Sequence, residues 1–303
     1  MAKKAKINWI SIMGHAEVKG SSITYTPVQI IEGPNKGQTQ VCMLKCDRWF
    51  ESGKISFKVS LSGEGGSAQV IFNHDTPANQ VFTGVGAGGE FGIQLWSIAK
   101  SRLEPLTSIN PGAKPKSGVY NISIEVKGSK TTLFVDNVSV CTANCFIRKA
   151  QPCLFIGGDA KAVVSDFAID GGQSKAFVVM QFTSDFNELY DEVIKPTVES
   201  FGIECMRADD FHTSGLILID IAQSILESQL IIADITPDNP NVFYEVGFAH
   251  GMGKPLILLS EKSREKLPFD VSGFRTLFYD NSIGGKRKVE ERLTKFITNI
   301  LES

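Results

Sequence analysis

The sequence has no apolar run that approaches the roughly 20 residues needed for a transmembrane helix. Its basic start, Met1 to Lys6, is followed by a mixed segment and not by the apolar stretch of a secretion signal. We therefore expect a cytoplasmic protein without a membrane partner. The hydrophobic fraction of 42% and the 20 phenylalanines among 303 residues are typical of folded globular domains.

Cysteine is too scarce for a disulfide scaffold, with six in the whole chain. The pairs Cys42/Cys46 and Cys141/Cys145 each have three intervening residues, whereas a zinc knuckle has two. No histidine completes a set at metal-ligand spacing. We predict buried, reduced thiols and no metal site.

The chain also lacks the surplus of positive charge that a nucleic-acid-binding protein needs, because it has 31 Lys+Arg and 33 Asp+Glu. The charge is divided unevenly along the chain. Residues 1–172 carry 18 Lys+Arg and 13 Asp+Glu, and residues 173–303 carry 13 and 20. The acidic second half argues against nucleic acid as a partner.

Residues 1–172 show the period-two alternation of β-strands, in which successive side chains point to opposite faces. Glycine-rich turns such as 62–66 separate the alternating segments. No helix-period segment occurs before residue 172. We predict an antiparallel β-sandwich domain over residues 1–172. The alternating apolar residues are Ile55, Phe57, Val59 and Leu61, and then Tyr120, Ile122, Ile124 and Val126.

Residues 173–303 alternate short apolar runs with helix-period segments. The predicted strands are 176–180, 203–206, 230–233, 255–259 and 277–279, and the first three predicted helices are 186–197, 214–227 and 241–252. A last helix is predicted from the helical spacing of Val289, Leu293, Phe296, Ile297 and Ile300. Asp185 is the predicted cap of the first helix. Alternating strands and helices indicate an α/β domain with a parallel sheet covered on both faces. Such sheets bind ligands at the carboxyl ends of their strands.

Two carboxylates fall at that edge of the predicted sheet. Asp234 ends the third strand, and Glu245 lies in the first turns of the next helix, where the helix dipole favours an ionised carboxylate. Such a carboxylate can attack an anomeric carbon or stabilise the charge that develops as a glycosidic bond breaks. Gly247 leaves the helix surface open beside Glu245. The alternatives are that Glu245 is a surface glutamate stabilised by the helix dipole, that Asp234 caps the loop after its strand, and that Gly247 serves close packing of the helix on the sheet. His250 is interpreted as a packing residue.

Six blocks of sequence, in order, carry a resemblance to a known superfamily. The blocks are KAFVVMQF (175–182), YDEVIKP (190–196), MRADD (206–210), DIAQSILESQLIIADIT (220–236), NPNVFYEVGFAHGMGKPLILL (239–259) and LPFDVSGFR (267–275). The second half resembles the superfamily of nucleoside 2-deoxyribosyltransferases, nucleotide N-glycosidases and Toll/interleukin-receptor-like (TIR-like) NAD-cleaving domains. The resemblance implies a flavodoxin/TIR-like fold and N-glycosidase activity.

The resemblance also implies roles for single residues. Glu245 matches the carboxylate that the transferases use as nucleophile, and Asp220 and Asp234 match residues that orient the ribose. Five further residues are implied in substrate binding: Gln181 and Phe182 over the base, Arg207 at a phosphate, and Asn241 and Tyr244 beside the glutamate. Arg207 is interpreted equally well as the ion-pair partner of Asp209 or Asp210.

The form NPNVFYE departs from the small-residue turn of the simple transferases and is typical of the TIR-like, nucleotide-binding branch. The first strand is followed by MQFTSDF, without the glycines of a dinucleotide cofactor site. We therefore predict NAD+ as substrate, with no cofactor and no metal, for an NAD+ hydrolase that releases nicotinamide. The alternatives are a nucleoside or nucleoside-monophosphate glycosidase or transferase, and a nucleotide sensor that does not cleave.

The segment SGVYNISIEVKGSKTTLFVDNVSV (117–140) resembles the hairpin of concanavalin-type, laminin-G-like jelly-roll domains. Glu90 stands alone where glucanases of this fold have a spaced acidic cluster, so an active glycanase is not expected. Trp49, Phe91 and Trp96 are interpreted as core residues, with a carbohydrate-facing role as the alternative. By resemblance, the jelly roll is expected to be a sensor or oligomerisation module of an antiviral defence effector. A homo-oligomer and a carbohydrate or other ligand are the implied partners.

Overall fold

A computed structural model describes residues 7–76, 79–210, 217–264, 266–271 and 273–302. The chain divides into two compact units, Met1–Val126 with Lys130–Gly172 and Lys127–Ser129 with Gln173–Ser303. No helix within the described residues is long and apolar enough to cross a membrane.

The first unit is built from antiparallel strands in two sheets. The strands are β1 (Trp9–Met13), β2 (Glu17–Lys19), β3 (Ser22–Tyr25), β4 (Cys42–Cys46), β5 (Gly53–Leu61), β6 (Gly66–Phe72), β7 (Val81–Val85), β8 (Gly89–Ser97), β9 (Arg102–Pro111), β10 (Gly118–Lys127), β11 (Lys130–Val135), β12 (Val138–Asn144), β13 (Cys153–Gly158) and β14 (Ala162–Gly171). The first sheet has the order β1-β4-β13-β6-β7-β8-β9, and the second has the order β12-β11-β10-β5-β14-β3-β2.

The sequence alternation explains which face of each strand is buried. On β5 the side chains of Ile55 and Val59 are fully buried, and Lys54 and Lys58, at alternate positions, are exposed. The antiparallel register places Ile124 of β10 opposite Ile55 and Ile122 opposite Phe57, so the apolar faces of the two strands join one core. The described part of this unit contains no helix. The predicted β-sandwich is confirmed.

The cysteines and aromatics of this unit test two further predictions. All six cysteines of the chain are buried free thiols, as predicted, and burial raises the pKa of Cys153 to about 12. Phe91 is a core residue, and Trp96 packs against a small apolar cluster. Trp49 is 62% exposed, so its interpretation as a core residue is wrong.

The second unit contains a five-stranded parallel sheet with the order β16-β15-β17-β18-β19. Its strands are β15 (Lys175–Val179), β16 (Glu204–Arg207), β17 (Leu230–Asp234), β18 (Leu256–Glu261) and β19 (Thr276–Tyr279). Its helices are α1 (Ser184–Leu189), α2 (Lys195–Glu199), α3 (Ile217–Glu227), α4 (Pro240–Gly251) and α5 (Ile283–Glu302), with a π-helical turn at Tyr190–Ile194 and 3₁₀ turns at Ala208–Asp210 and Phe269–Val271.

Both faces of this sheet are covered, which is why its strands read as continuous apolar runs. Ala176 and Val178 of β15 join a core with residues of α1, α2 and α5. Phe177 and Val179 join a second core with residues of α3 and α4. The predicted α/β unit with a parallel sheet is confirmed at this level.

One helix cap differs from the prediction. The first helix begins at Ser184 with Thr183 as its cap residue, so the predicted Asp185 cap is wrong, and Asp185 lies in the first turn. The last helix begins at Ile283, after Ser282, whose hydroxyl accepts a bond from the Gly285 N–H at 3.1 Å. The first three residues of the predicted helix 214–227 lie outside the described residues.

Candidate active site

The position of Glu245 follows from how α4 begins. The side chain of Asn239 caps the helix by accepting a hydrogen bond from the Asn241 N–H at 3.0 Å. Pro240 fits the first helical position, where an N–H would have no partner within the helix. The sequence NPN therefore fixes the phase of α4 and places Glu245 in its second turn.

Glu245 lies at the border of the buried face of α4. Val242 and Ala249, three positions before it and four after it, are 3% and 0% exposed. Glu245 itself is half-buried and makes no hydrogen bond or ion pair with the residues that the structure describes. Burial raises the pKa of its carboxyl from 4.5 to about 7. Gly247, two positions further along α4, is exposed and has no atom near the position of an added side chain. Residues two apart do not share a helix face, so this opening does not lie beside Glu245 as predicted.

The raised pKa corrects the prediction that the helix dipole holds Glu245 ionised. The dipole acts mainly within the first turn, and Glu245 is the sixth residue of α4. Loss of hydration at a half-buried position outweighs it. The carboxyl is therefore present in both protonation states near neutral pH.

The pKa of Glu245 makes the stability of the protein depend on pH. The folded state holds this proton up to about pH 7, whereas the unfolded chain releases it near pH 4.5, so the contribution to stability falls as the pH rises between these values. We expect Glu245→Gln to be about 2–3 kcal/mol more stable than the wild type at pH 8, and nearly equal to it at pH 4.5. Urea unfolding at both pH values measures this. The exposed Glu199→Gln is the control, and an equal gain in that variant would contradict the account.

Asp234 is part of a buried network at the carboxyl ends of β17 and β19. Its side chain is 0% exposed. Its Oδ1 accepts from the Thr236 N–H at 2.8 Å, and its Oδ2 accepts from the Tyr279 hydroxyl at 2.7 Å. Burial raises the pKa of Asp234, and these hydrogen bonds act in the opposite direction. With both oxygens bonded inside the protein, Asp234 ties two strands together, which corrects its predicted contact with a ribose.

The side chain of Arg207 likewise bonds to neighbouring residues within the protein. Its Nε and Nη2 donate to the two carboxylate oxygens of Asp209 at 2.7 and 2.5 Å. Its guanidinium carbon lies 4.3 Å from the ring centre of Tyr190 and 5.2 Å from that of Phe182. The Nε and Nη2 edge of the guanidinium is occupied by Asp209, so the structure supports the ion-pair alternative.

The remaining predicted site residues are only partly brought together. Gln181 and Phe182 follow β15, which lies between β16 and β17, so they share the sheet edge with Arg207. Phe182 is 52% exposed with its ring beside that guanidinium. Asn241 and Tyr244 are exposed residues of α4. Asp220, in the first turn of α3, is half-buried.

A small cavity of about 60 Å³ at the ends of β18 and β19 was not predicted from the sequence. Glu261, Tyr279 and Asp280 contribute to its lining. Glu261 follows an apolar strand as Asp234 does, and a polar residue at a strand end was the available signal. Tyr279 carried no such signal, because its pattern is that of a buried strand residue.

Comparison with known proteins finds similar solved structures but no matching family model or curated protein. No family model and no curated protein matches the chain. Among solved structures, a carbohydrate binding module, CBM66, from Bacillus subtilis is 14% identical, with 54% of this chain and 96% of that chain covered and a TM-score of 0.39. A lichenase from a mouse hindgut metagenome is 10% identical, with 54% and 92% covered and a TM-score of 0.37. A Bacillus licheniformis beta-glucanase is 9% identical, with 52% and 89% covered and a TM-score of 0.35.

The similar structures are named as glycoside hydrolases and a carbohydrate binding module, and these comparisons give the predicted NAD+ hydrolase no support. The predictions of an NAD+ hydrolase, of a TIR-like domain and of a role in antiviral defence are therefore corrected. In the structure Asp234 is bonded to Thr236 and Tyr279, and Arg207 is paired with Asp209.

Proposed function

We propose that the chain is a glycosyl hydrolase and that the carboxyl of Glu245 is its catalytic group. The observation that carries the proposal is a half-buried carboxyl with a pKa of about 7 and no bonded partner among the described residues. Carboxyls with that pKa are suited to proton transfer at neutral pH, because both protonation states are populated.

The raised pKa favours the role of general acid for Glu245. A protonated carboxyl in an apolar setting donates its proton to the leaving group as the bond to the anomeric carbon breaks. The bonding electrons then stay with the leaving group, a water molecule supplies the hydroxyl that joins the anomeric carbon, and the other proton of that water returns to the Glu245 carboxylate.

The narrower assignment within this class is an N-glycosyl bond. Its support is the ordered set of sequence blocks between residues 175 and 275, of which NPNVFYEVGFAHGMGKPLILL contains Glu245. A bond to nitrogen needs a proton on the departing base when that base is neutral, which is the step that a carboxyl of pKa about 7 performs.

The test is a substrate panel with both O-glycosides and N-ribosides, incubated with the full chain and analysed for released sugar and released base. Glu245→Gln and the exposed Glu199→Gln are assayed in parallel. Hydrolysis by the wild type and by Glu199→Gln, but not by Glu245→Gln, is the expected result. Equal hydrolysis by all three proteins would mean that Glu245 takes no part in the reaction. Release of sugar from O-glycosides alone would contradict the assignment of an N-glycosyl bond.

The cysteines support a reducing compartment for this reaction. All six are free and buried, which is the usual state of thiols in the cytoplasm and unusual in secreted proteins. We therefore keep the cytoplasm as the proposed location.

A further inference from the structure

The side chain of Arg264, in the segment that follows β18, is buried although it carries a charge. It is 8% exposed. Nη1 donates to the carbonyls of Ile235 and Thr236, the latter at 2.7 Å, and Nη2 donates to the carboxylate of Asp238. Nε donates to the carbonyl of Lys266 at 3.0 Å. The guanidinium is therefore held in one orientation, and three of its bonds go to the loop 235–238.

The loop 235–238 joins the end of β17 to the start of α4. Its first half is also tied to the ends of β17 and β18, through the N–H and the hydroxyl of Thr236. Within the described chain, its second half is bonded to a different segment by the pair of Arg264 and Asp238. Arg264 thus bonds to both halves of the loop and joins the sheet end to the helix end.

The guanidinium also contacts α4 itself. Its carbon lies 5.7 Å from the ring centre of Phe243, which is in the first turn of the helix. The helix cap, Asn239, directly follows Asp238 in the chain. Because Arg264 touches the chain on both sides of this cap, it fixes how α4 is rotated about its axis where the helix begins.

Glu245 lies at a position on α4 where burial responds strongly to rotation of the helix. Val242, three positions before it, is 3% exposed, whereas Asn241, four positions before it, is exposed. A residue in the middle of a buried face stays buried when a helix turns slightly, but a residue at the border gains or loses contact with water. Burial is the cause of the raised pKa of Glu245, so that pKa reports the rotation of α4.

Stabilisation of the loop alone is a poor explanation for a buried arginine here. Taking a guanidinium out of water is costly, and its carboxylate partner, Asp238, has a side chain that is 85% exposed, so the ion pair regains little. A planar guanidinium that meets several acceptors at fixed angles is, however, well suited to fixing a geometry.

We propose that Arg264 is a positioning residue for Glu245, because it holds the loop 235–238 and the first turn of α4 in the rotation that buries the Glu245 carboxyl. The proposal rests on the proposed function, in which Glu245 is the catalytic group. Arg264 acts through α4 and is not itself a catalytic residue.

The first measurement is the pKa of the Glu245 carboxyl, by NMR titration of protein labelled with ¹³C at the glutamate carboxyl carbon. Arg264→Lys keeps the charge but replaces the planar fork with one nitrogen, and Arg264→Met removes the charge as well. The exposed Arg275→Met is the control. We expect the pKa to fall from about 7 to about 6 or below in both Arg264 variants, because water reaches the carboxyl, and to stay unchanged in Arg275→Met. Loss of a positive charge alone would raise the pKa, so the direction separates positioning from a charge effect.

The second measurement is kcat/KM of the same proteins at pH 7 and pH 5, on the best substrate of the panel. At pH 7 both Arg264 variants should be at least about fivefold slower than the wild type, because fewer of their Glu245 carboxyls are protonated. At pH 5 most of this deficit should disappear, because the carboxyl is then largely protonated in the variants as well. A deficit of the same factor at both pH values would indicate a structural role alone and would overturn the proposal.

An unchanged or higher pKa of Glu245 in Arg264→Met, in a protein that unfolds cooperatively, would also overturn it. If that variant does not fold, Arg264→Lys decides by the same criterion. A fall of equal size in Arg275→Met would contradict the proposal too. Wild-type hydrolysis by Glu245→Gln would instead show that the proposed function is wrong, and the NMR titration would still decide whether Arg264 positions the carboxyl.

Discussion

Glu245→Gln is expected to lower the rate of glycosidic-bond hydrolysis by about 10²–10⁴-fold, the range that a general acid contributes. Glutamine keeps the size of the side chain but has no proton to give to the leaving group. Glu199→Gln is expected to keep the wild-type rate, because residue 199 is exposed on α2. The measurement is the rate of product release on the best substrate of the panel.

The pH dependence of the wild type separates an acid from a nucleophile at this position. With Glu245 as the acid, kcat/KM should be constant below about pH 7 and should fall about tenfold per pH unit above it, because the protonated form is then depleted. A rate that rises through pH 7 would mean that the ionised carboxylate acts, and the general-acid role would be wrong. The residual rate of Glu245→Gln should show no such inflection.

Asp234→Ala is expected to cost about 3 kcal/mol of folding free energy, because it leaves the Tyr279 hydroxyl without its acceptor in a buried setting. Tyr279→Phe should cost less, about 1–3 kcal/mol, since it removes one donor from a carboxylate that keeps the Thr236 N–H. Tyr244→Phe is the matched control, because Tyr244 is 58% exposed. Denaturant unfolding followed by circular dichroism measures all three.

The same variants test whether Asp234 is structural. Asp234→Asn retains the shape of the side chain and can still accept from the Thr236 N–H, so we expect its hydrolysis rate to stay within tenfold of the wild type. If Asp234→Asn unfolds at the wild-type denaturant concentration but loses as much hydrolysis rate as Glu245→Gln, Asp234 takes part in catalysis.

The strands and their faces were predictable because their signal is local. On β5, alternation alone identifies the buried side of the strand, and on β17 a continuous apolar run indicates burial on both faces. The helix ends were less predictable, because several nearby residues are able to cap. Thr183 and Asp185 are both good cap residues by type, and the chain path before α1 selects Thr183.

Candidate site residues could be named from the sequence, but their protonation states and hydrogen-bond partners could not. The sequence indicates Glu245 and Asp234, but the pKa of Glu245 depends on how deeply α4 packs against the sheet. The pairing of Asp234 with Tyr279 joins residues 45 positions apart and requires the order of three strands.

The most direct test of the central claim is an NMR titration of the Glu245 carboxyl in protein labelled with ¹³C at the glutamate carboxyl carbon. The signal is assigned by its disappearance in Glu245→Gln. The account predicts a pKa of about 7. A value near 4.5, that of a solvated glutamate, would contradict the proposal that burial prepares this carboxyl to donate a proton at neutral pH.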